Sequence, residues 1–302
     1  MILEQHSDEI SCLNDLGFST NPLNMEFDNL SDAFEYCFKF TDQRTSLNYP
    51  IDGGVIKIND NYLFEKLGNI GKAPRTWCAI KFPPKEITTQ VLDILYQVGR
   101  TGKITPVALL KDVKLQGSII RKATLHNCKE VNDLQLRVND TVILRKAGDI
   151  IPEIVSVLKN LRPLKSRTFI NPVTCPSCFR PLKLSETSVD LVCNNYDCPA
   201  QVILRLCYYT SRGLGDINTL SSKTLEKFYQ LYNINSIAKL YNLPLNDIEK
   251  LDGFGPKSRQ NIESNINKSK NINDFKFLAS IGMDGIGIEN SKLISILLRK
   301  YL

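Results

Sequence analysis

The chain has 302 residues, 42% of them apolar, with 38 Lys and Arg against 32 Asp and Glu for a formal net charge of +6. That length allows two or more compact domains of ordinary globular composition, and the moderate basic excess suits an anionic partner. No run of 18 apolar residues suggests a membrane span, and MILEQHSDEIS carries charge too early for a secretory leader, so the chain reads as intracellular.

Residues 1 to about 48 read as helical and polar, with LNDLGF ending a helix at Gly17. PIDGGVIKIND then alternates apolar and polar residues around Lys57, a strand pattern closed by Asn59-Asp60. APRTWCAIKFPP gives a second short strand with Lys81 between apolar neighbours. A lysine on a strand is ordinarily a solvated outer-face residue. Two lysines on two short apolar strands, one of them near Asp52, fit an anion pocket better. Residues 87 to 160 are rich in short strands, with turn signals at Gly99, Gly102, Gly117, Asp140 and Gly148. This suits a small Greek-key barrel of the oligonucleotide-binding type. Arg100, Lys103, Arg121, Lys122, Arg145 and Lys146 stud these segments. Ordinary solubilising charge would explain them. Against that, Arg100-Thr101 and Arg145-Lys146 lie beside glycines that let a backbone approach a phosphate.

Nine cysteines occur, and four cluster as C-x2-C-x14-C-x4-C at Cys175, Cys178, Cys193 and Cys198. Four thiolates at that spacing make a closed tetrahedral zinc site, structural because no coordination position stays open. Two disulfides are the alternative, disfavoured in a reducing compartment; the scattered Cys12, Cys37, Cys78, Cys128 and Cys207 read as plain thiols. Beyond the cluster the pattern turns helical. LDGFGPKSRQNIESNI and MDGIGIENSKLISILL repeat one design, Gly-apolar-Gly before an apolar helix, at Gly253/Gly255 and Gly285/Gly287. This is a helix-hairpin-helix pattern, whose exposed N–H groups at a helix start take a DNA phosphate without reading bases. Lys257 adds a cation beside the first turn. Lys250-Leu251-Asp252-Gly253 also spells the Lys-x-Asp-Gly of covalent nucleotidyl transfer. A nucleophilic lysine needs a desolvated, strand-walled pocket, and Lys250 sits in a polar turn between helices, so the hairpin reading prevails.

In order and spacing, IDGGVIKIND, APRTWCAIKFPP, QVGRTGKITPVALL, ATLHN, RKAGDIIPE, CPSC…CNNYDCPAQ and GFGPKS resemble the NAD-dependent DNA ligases, the bacterial type also found in some large DNA viruses. The likeness runs from about Leu13 to Leu302. It implies a multidomain α+β chain: residues 1–84 as the C-terminal part of an adenylation (nucleotidyltransferase) domain, 85–165 as an OB-fold barrel, 166–200 as a four-cysteine zinc finger and 201–302 as a truncated helix-hairpin-helix domain. It also implies an enzyme that joins 3′-hydroxyl to 5′-phosphate in nicked duplex DNA, through enzyme-AMP and DNA-AMP, in replication and repair. NAD and Mg²⁺ would serve the complete enzyme, structural Zn²⁺ the cysteine cluster, and the location would be the bacterial cytoplasm or a viral replication site. Asp52 and Lys57 would line the adenylate pocket, and Lys81 would contact the AMP phosphate and aid its transfer. Arg100, Thr101, Arg145 and Lys146 would touch DNA backbone near the nick, and the turns at Gly253, Gly255, Lys257, Gly285 and Gly287 would grip phosphates.

The sequence departs from the family in places. Gly54 stands where the family tends to have Val, Trp77 lies one residue late, and Lys146 replaces the second arginine of a common pair. DINTLSSKTL lacks the Gly-x-Gly of an earlier hairpin. The family's nicotinamide-binding segment and AMP-accepting lysine lie upstream of the matched motifs. The expectation is therefore a fragment or one part of a split frame, unable to adenylate itself, with a separate chain as a candidate source of the rest. The competing reading is a nick-binding DNA module without ligase activity.

Overall fold

The computed structural model describes residues 3–301 except 45, 72, 149 and 187, so Asp149 of RKAGDIIPE lies outside the described residues. The chain divides into two compact units. One comprises Met1–Thr88, Asp112–Ile120 and Ile143–Val155; the other Thr89–Lys111, Arg121–Val142 and Ser156–Leu302.

The first 84 residues hold helices α1 (His6–Asp15), α2 (Leu30–Gln43) and α3 (Asn61–Leu67), and strands β1 (Gly53–Lys57), β2 (Asn69–Ile70), β3 (Ala73–Pro74) and β4 (Trp77–Lys81). Local chemistry sets the ends. Gly17 takes the left-handed conformation just past α1, as its position predicts, at φ 85°. Asn29 and Asp60 cap α2 and α3 by accepting the N–H groups of Asp32 and Leu63. β1 and β4 pair antiparallel with Gly53 opposite Lys81 and Lys57 opposite Trp77. A Cβ on Gly54 would stand 2.7 Å from Cys37 Sγ on α2, so this chain has traded a strand side chain for close approach of the helix.

Strands β5 (Glu86–Val98), β6 (Ile104–Leu115), β7 (Ser118–Thr124), β8 (Thr141–Ala147) and β9 (Ile151–Val157) close a barrel in the order β5-β6-β7-β9-β8, with α4 (Cys128–Asp133) between β7 and β8 in the chain. Alternation turns Ile104, Ala108, Leu110, Val142 and Leu144 inward, all buried. A bulge between Val91 and Asp93 interrupts the β5–β6 register. Asp140 closes the expected turn with its N–H on the Arg137 carbonyl at 3.2 Å and is fully buried. Arg162 grips both its carboxylate oxygens at 2.8 Å, and the N–H of Arg137 donates to it as well. Its carbonyl accepts Val91 N–H at 2.9 Å, so one residue ties the middle of β5 to the start of β8.

The short pair β10 (Lys183–Leu184) and β11 (Leu191–Val192) precedes helices α5 (Pro199–Thr210), α6 (Ser222–Tyr232), α7 (Ile237–Leu240), α8 (Leu245–Ile248), α9 (Pro256–Ser269), α10 (Asp274–Ile281) and α11 (Ile288–Tyr301). Leu206 and Tyr209, Leu225 and Phe228, and Ile262 and Ile266 recur at three- and four-residue spacing, and with Ile217, Leu240 and Ile248 form one core.

Candidate functional site

The β1–β4 pair has two unlike faces. Ile56 and Ile80 turn toward one, while Val55, Lys57, Trp77, Ala79 and Lys81 lie exposed on the other. Lys81 Nζ donates to Asp52 Oδ2 at 3.0 Å, and this hydrogen bond holds the Asp52 carboxyl below its ordinary range. Lys57 stands over the Trp77 ring at 4.3 Å from its centroid and lies 3.2 Å from His6 Nε2. The two lysines therefore do not meet at one point. The register sets them four residues apart along the sheet, about 13 Å along the strand direction at ordinary strand rise. Between them lies a flat apolar floor of Val55 and Ala79. Two cations at the ends of such a floor suit an elongated anionic ligand with an apolar ring more than a lone phosphate. Trp77 and His6 place Lys57, a role that was not read from sequence for either. The one-residue shift of the tryptophan was visible there, but its pairing with Lys57 depends on strand register.

The basic barrel residues separate. Arg145 Nε donates to Glu153 Oε1 at 2.6 Å on the neighbouring strand, with the guanidinium partly exposed. Lys146, one residue on, is 7% exposed and shares the inward parity of Val142 and Leu144. Adjacent strand residues face opposite ways, so Arg145 and Lys146 leave β8 on opposite sides. Thr101 is exposed at the tip of the β5–β6 turn. Arg100 beside it donates to the Gly282 carbonyl at the end of α10 and stacks over Tyr208, 4.4 Å from the ring centroid.

The four cysteines converge. Their sulfurs all lie within 4.8 Å of one another, with Cys175 to Cys198 at 3.8 Å and Cys178 to Cys193 at 3.5 Å. Four thiolates around one zinc at 2.3 Å would stand about 3.8 Å apart, so the donor set and its spacing fit the ion. Burial pushes the Cys193 thiol up to about 12 and raises Cys175. Burial acts on Cys178 too. There, hydrogen bonds from the Asn195 side chain, the Arg180 backbone and the neighbouring thiols outweigh it and bring the group down to about 6.

The two glycine turns stand open. Gly253 (φ 82°) and Gly285 (φ 75°) adopt the left-handed conformation, with nothing near the place a Cβ would take. Gly255 caps α9, whose first residue is Pro256, and Gly287 precedes α11. Lys257 is exposed on the first turn of α9. Lys250 is 78% exposed, 3.7 Å from Asp247, in water rather than in a desolvated pocket.

Residues 2–85 match the NAD-dependent DNA ligase adenylation domain family, and residues 88–166 the NAD-dependent DNA ligase OB-fold domain family. A protein named DNA ligase from Sulfurihydrogenibium sp. (strain YO3AOP1) is 37% identical over 299 residues, covering 99% of this chain and 42% of that protein. Another, from Natranaerobius thermophilus, is 38% identical over 97% of this chain and 44% of its own length. A third, from Lactobacillus helveticus, is 39% identical with the same two coverages. The chain spans less than half the length of these relatives.

Proposed function

The chain belongs to the NAD-dependent DNA ligase family, and from that premise we propose that it is the part of a nick-sealing enzyme that holds the adenylate from one side and grips the DNA. The observation that carries this reading is the open β1–β4 face with Lys57 and Lys81 at its ends and Asp52 on Lys81. NAD, when bound, supplies the adenylate. Lys81 would neutralise its phosphate, exchanging Asp52 for that anion, and Asp52 and Lys57, the latter held over Trp77, would line the adenylate pocket. Among the described lysines, Lys57, Lys81 and Lys250 stand in exposed settings and not in the desolvated pocket a nucleophilic amine needs, so none of the three is assigned as the covalent nucleophile. Mg²⁺ belongs to the phosphoryl transfer and would assist it as a Lewis acid.

Residues 1–84 act as the adenylation part, 85–165 as the OB-fold, 166–200 as a zinc finger and 201–302 as a helix-hairpin-helix region. Cys175, Cys178, Cys193 and Cys198 hold structural zinc. Arg100, Thr101 and Arg145 contact DNA backbone, and the turns at Gly253, Gly255, Gly285 and Gly287, with Lys257, bind phosphates through their open N–H groups. A DNA substrate puts the work in the cytoplasm or a viral replication site.

The test is binding of the 302-residue chain to nicked duplex across a salt series. Affinity should fall steeply, by about 0.9 log units per log unit of salt for each phosphate contact and several such units in all. Gly253→Val and Gly285→Val should each weaken binding about tenfold, evenly across sequences, because the side chain strains the left-handed turn and covers its N–H groups. Affinity that is flat in salt would overturn the reading.

A further inference from the structure

The β5–β6 turn, Gly99 to Lys103, is held from outside the barrel. Within the turn, Gly99 N–H donates to the Lys103 carbonyl at 2.7 Å, and Gly102 N–H to the Gly99 carbonyl at 3.0 Å. The outside contacts come from the cysteine cluster and the helix that follows it. Cys193 N–H donates to the Gly102 carbonyl at 2.9 Å, Lys103 pairs with Val192 of β11, and Lys103 Nζ meets Asp190 at 2.9 Å. Val98 and Ile104, on either side of the turn, pack in one buried cluster with Cys175, Cys193 and Cys198. Gly102 is buried at φ 86°, and a Cβ there would stand 2.3 Å from the Cys193 carbonyl oxygen. Only glycine allows this approach.

That Cys193 carbonyl accepts one side-chain hydrogen bond. Gln201, buried on the first turn of α5, donates to it from Nε2 at 2.7 Å. Cys198 is the N-cap of α5, so the helix that starts on one candidate metal ligand reaches back to fix the backbone of another. A neutral amide suits the place. Four thiolates on one dication leave a net charge of about −2, and a cationic donor would be drawn to the sulfurs instead of the carbonyl.

We propose that Gln201 is a positioning residue that locks the Cys193 turn onto Gly102 and thereby fixes the Arg100–Thr101 tip for DNA. The claim rests on reading that tip as a DNA contact, and on zinc in the four-cysteine site. Gln201 touches neither the metal nor DNA. It removes the freedom of the turn before DNA arrives, so the ordering cost is not met at binding. Thr101 stays exposed at the tip, while Arg100 is parked on Gly282 and Tyr208.

The test compares the full chain with Gln201→Leu, which keeps volume and removes the donor, and with Gly102→Ala, which breaks the same junction from the other side. Three quantities are read: zinc per chain, amide hydrogen exchange of the peptide spanning residues 98–104, and affinity for nicked duplex with and without Thr101→Ala. Both variants should keep zinc and exchange that peptide about tenfold faster, as expected from leaving a buried carbonyl unpaired. They should also bind DNA about tenfold more weakly, with little further loss once Thr101 is already alanine. Unchanged exchange with zinc retained would overturn the proposal. Loss of zinc in Gln201→Leu would overturn it too, since Gln201 would then act on the metal site itself. Faster exchange in a chain whose wild type does not bind nicked DNA would uphold the clamp and defeat the DNA reading on which its purpose rests.

Discussion

The first 84 residues and the helices α5 to α9 differ in how completely they cover their apolar side chains. Neither α1 nor α2 buries a residue, and Phe18, Phe34 and Phe38 are all exposed. Among the described residues of that stretch, Thr76, Ile80 and Phe82 alone are buried. In the helices, by contrast, Leu206, Tyr209, Leu225, Phe228, Leu240, Ile248 and Ile262 are withdrawn almost wholly from solvent. The difference follows from what each region presents. A two-stranded sheet with one helix behind it leaves its other face open, and that open face carries Lys57, Trp77 and Lys81. The helices close on each other around a shared buried core. Openness is thus concentrated on the face that carries the two lysines, and sparse burial of this kind predicts lower local stability there.

Removing zinc is the strongest way to break the comparison. About one zinc per chain is expected by elemental analysis, and a structural site of this type contributes roughly 10 kcal/mol or more. Chelation should melt residues 175–198 and release the turn at Gly102, raising hydrogen exchange in both. Trp77 is the chain's single tryptophan and sits on the β1–β4 sheet. Its fluorescence should stay unchanged while the cysteine module melts. A well-folded preparation purified without chelator and lacking zinc would refute the assignment.

Core truncation gives the next effect. Phe228 is fully buried against Tyr232 and Phe254, whereas Phe38 is exposed and tilted against Phe34. Phe228→Ala should cost about 3–5 kcal/mol in denaturant unfolding, and Phe38→Ala no more than about 1 kcal/mol. Equal losses would mean that the first region is as firmly packed as the helices.

What the sequence made legible follows the range of the interactions. The cysteine spacing, the strands around Lys57 and Lys81 and the twin glycine turns are all local patterns, and the folded chain places the four sulfurs together. The barrel too was readable from its turn signals. The inward direction of Lys146 was not legible, because it depends on which parity of β8 faces the barrel, and neighbouring Arg145 looks equivalent in sequence. Asp140 closes a turn, as its sequence suggests, with its N–H on the Arg137 carbonyl, but the fork by which Arg162, 22 positions on, holds its buried carboxylate was not legible. Arg100 finds Gly282 across 182 residues, and Gln201 finds the backbone of Cys193 rather than its sulfur. No periodicity announces contacts of that kind, which exist only once the elements have packed.

The smallest expected effect concerns the Asp52–Lys81 pair, and it sharpens what openness means for the first region. The hydrogen bond from Lys81 holds the Asp52 carboxyl below its ordinary value in the folded chain. A depressed folded value means that the unfolded chain takes up its proton first on acidification. The contribution to stability is therefore complete above the unfolded value, about 3.9, and is lost as pH falls through the lower folded one. Both side chains are more than half exposed, so solvent and salt screen the pair and its worth is about 0.5 kcal/mol or less. A double-mutant cycle of Asp52→Asn and Lys81→Met, followed through Trp77 fluorescence in denaturant, isolates that coupling. It should be small at neutral pH and low salt, smaller still in about 1 M salt (where the Debye length is about 3 Å) and absent once Asp52 is protonated. A weak pair is what the proposed role requires, because Lys81 must leave Asp52 for an incoming phosphate at little cost. A coupling of several kcal/mol that survives high salt would make the pair a structural bridge and remove Lys81 from the ligand site.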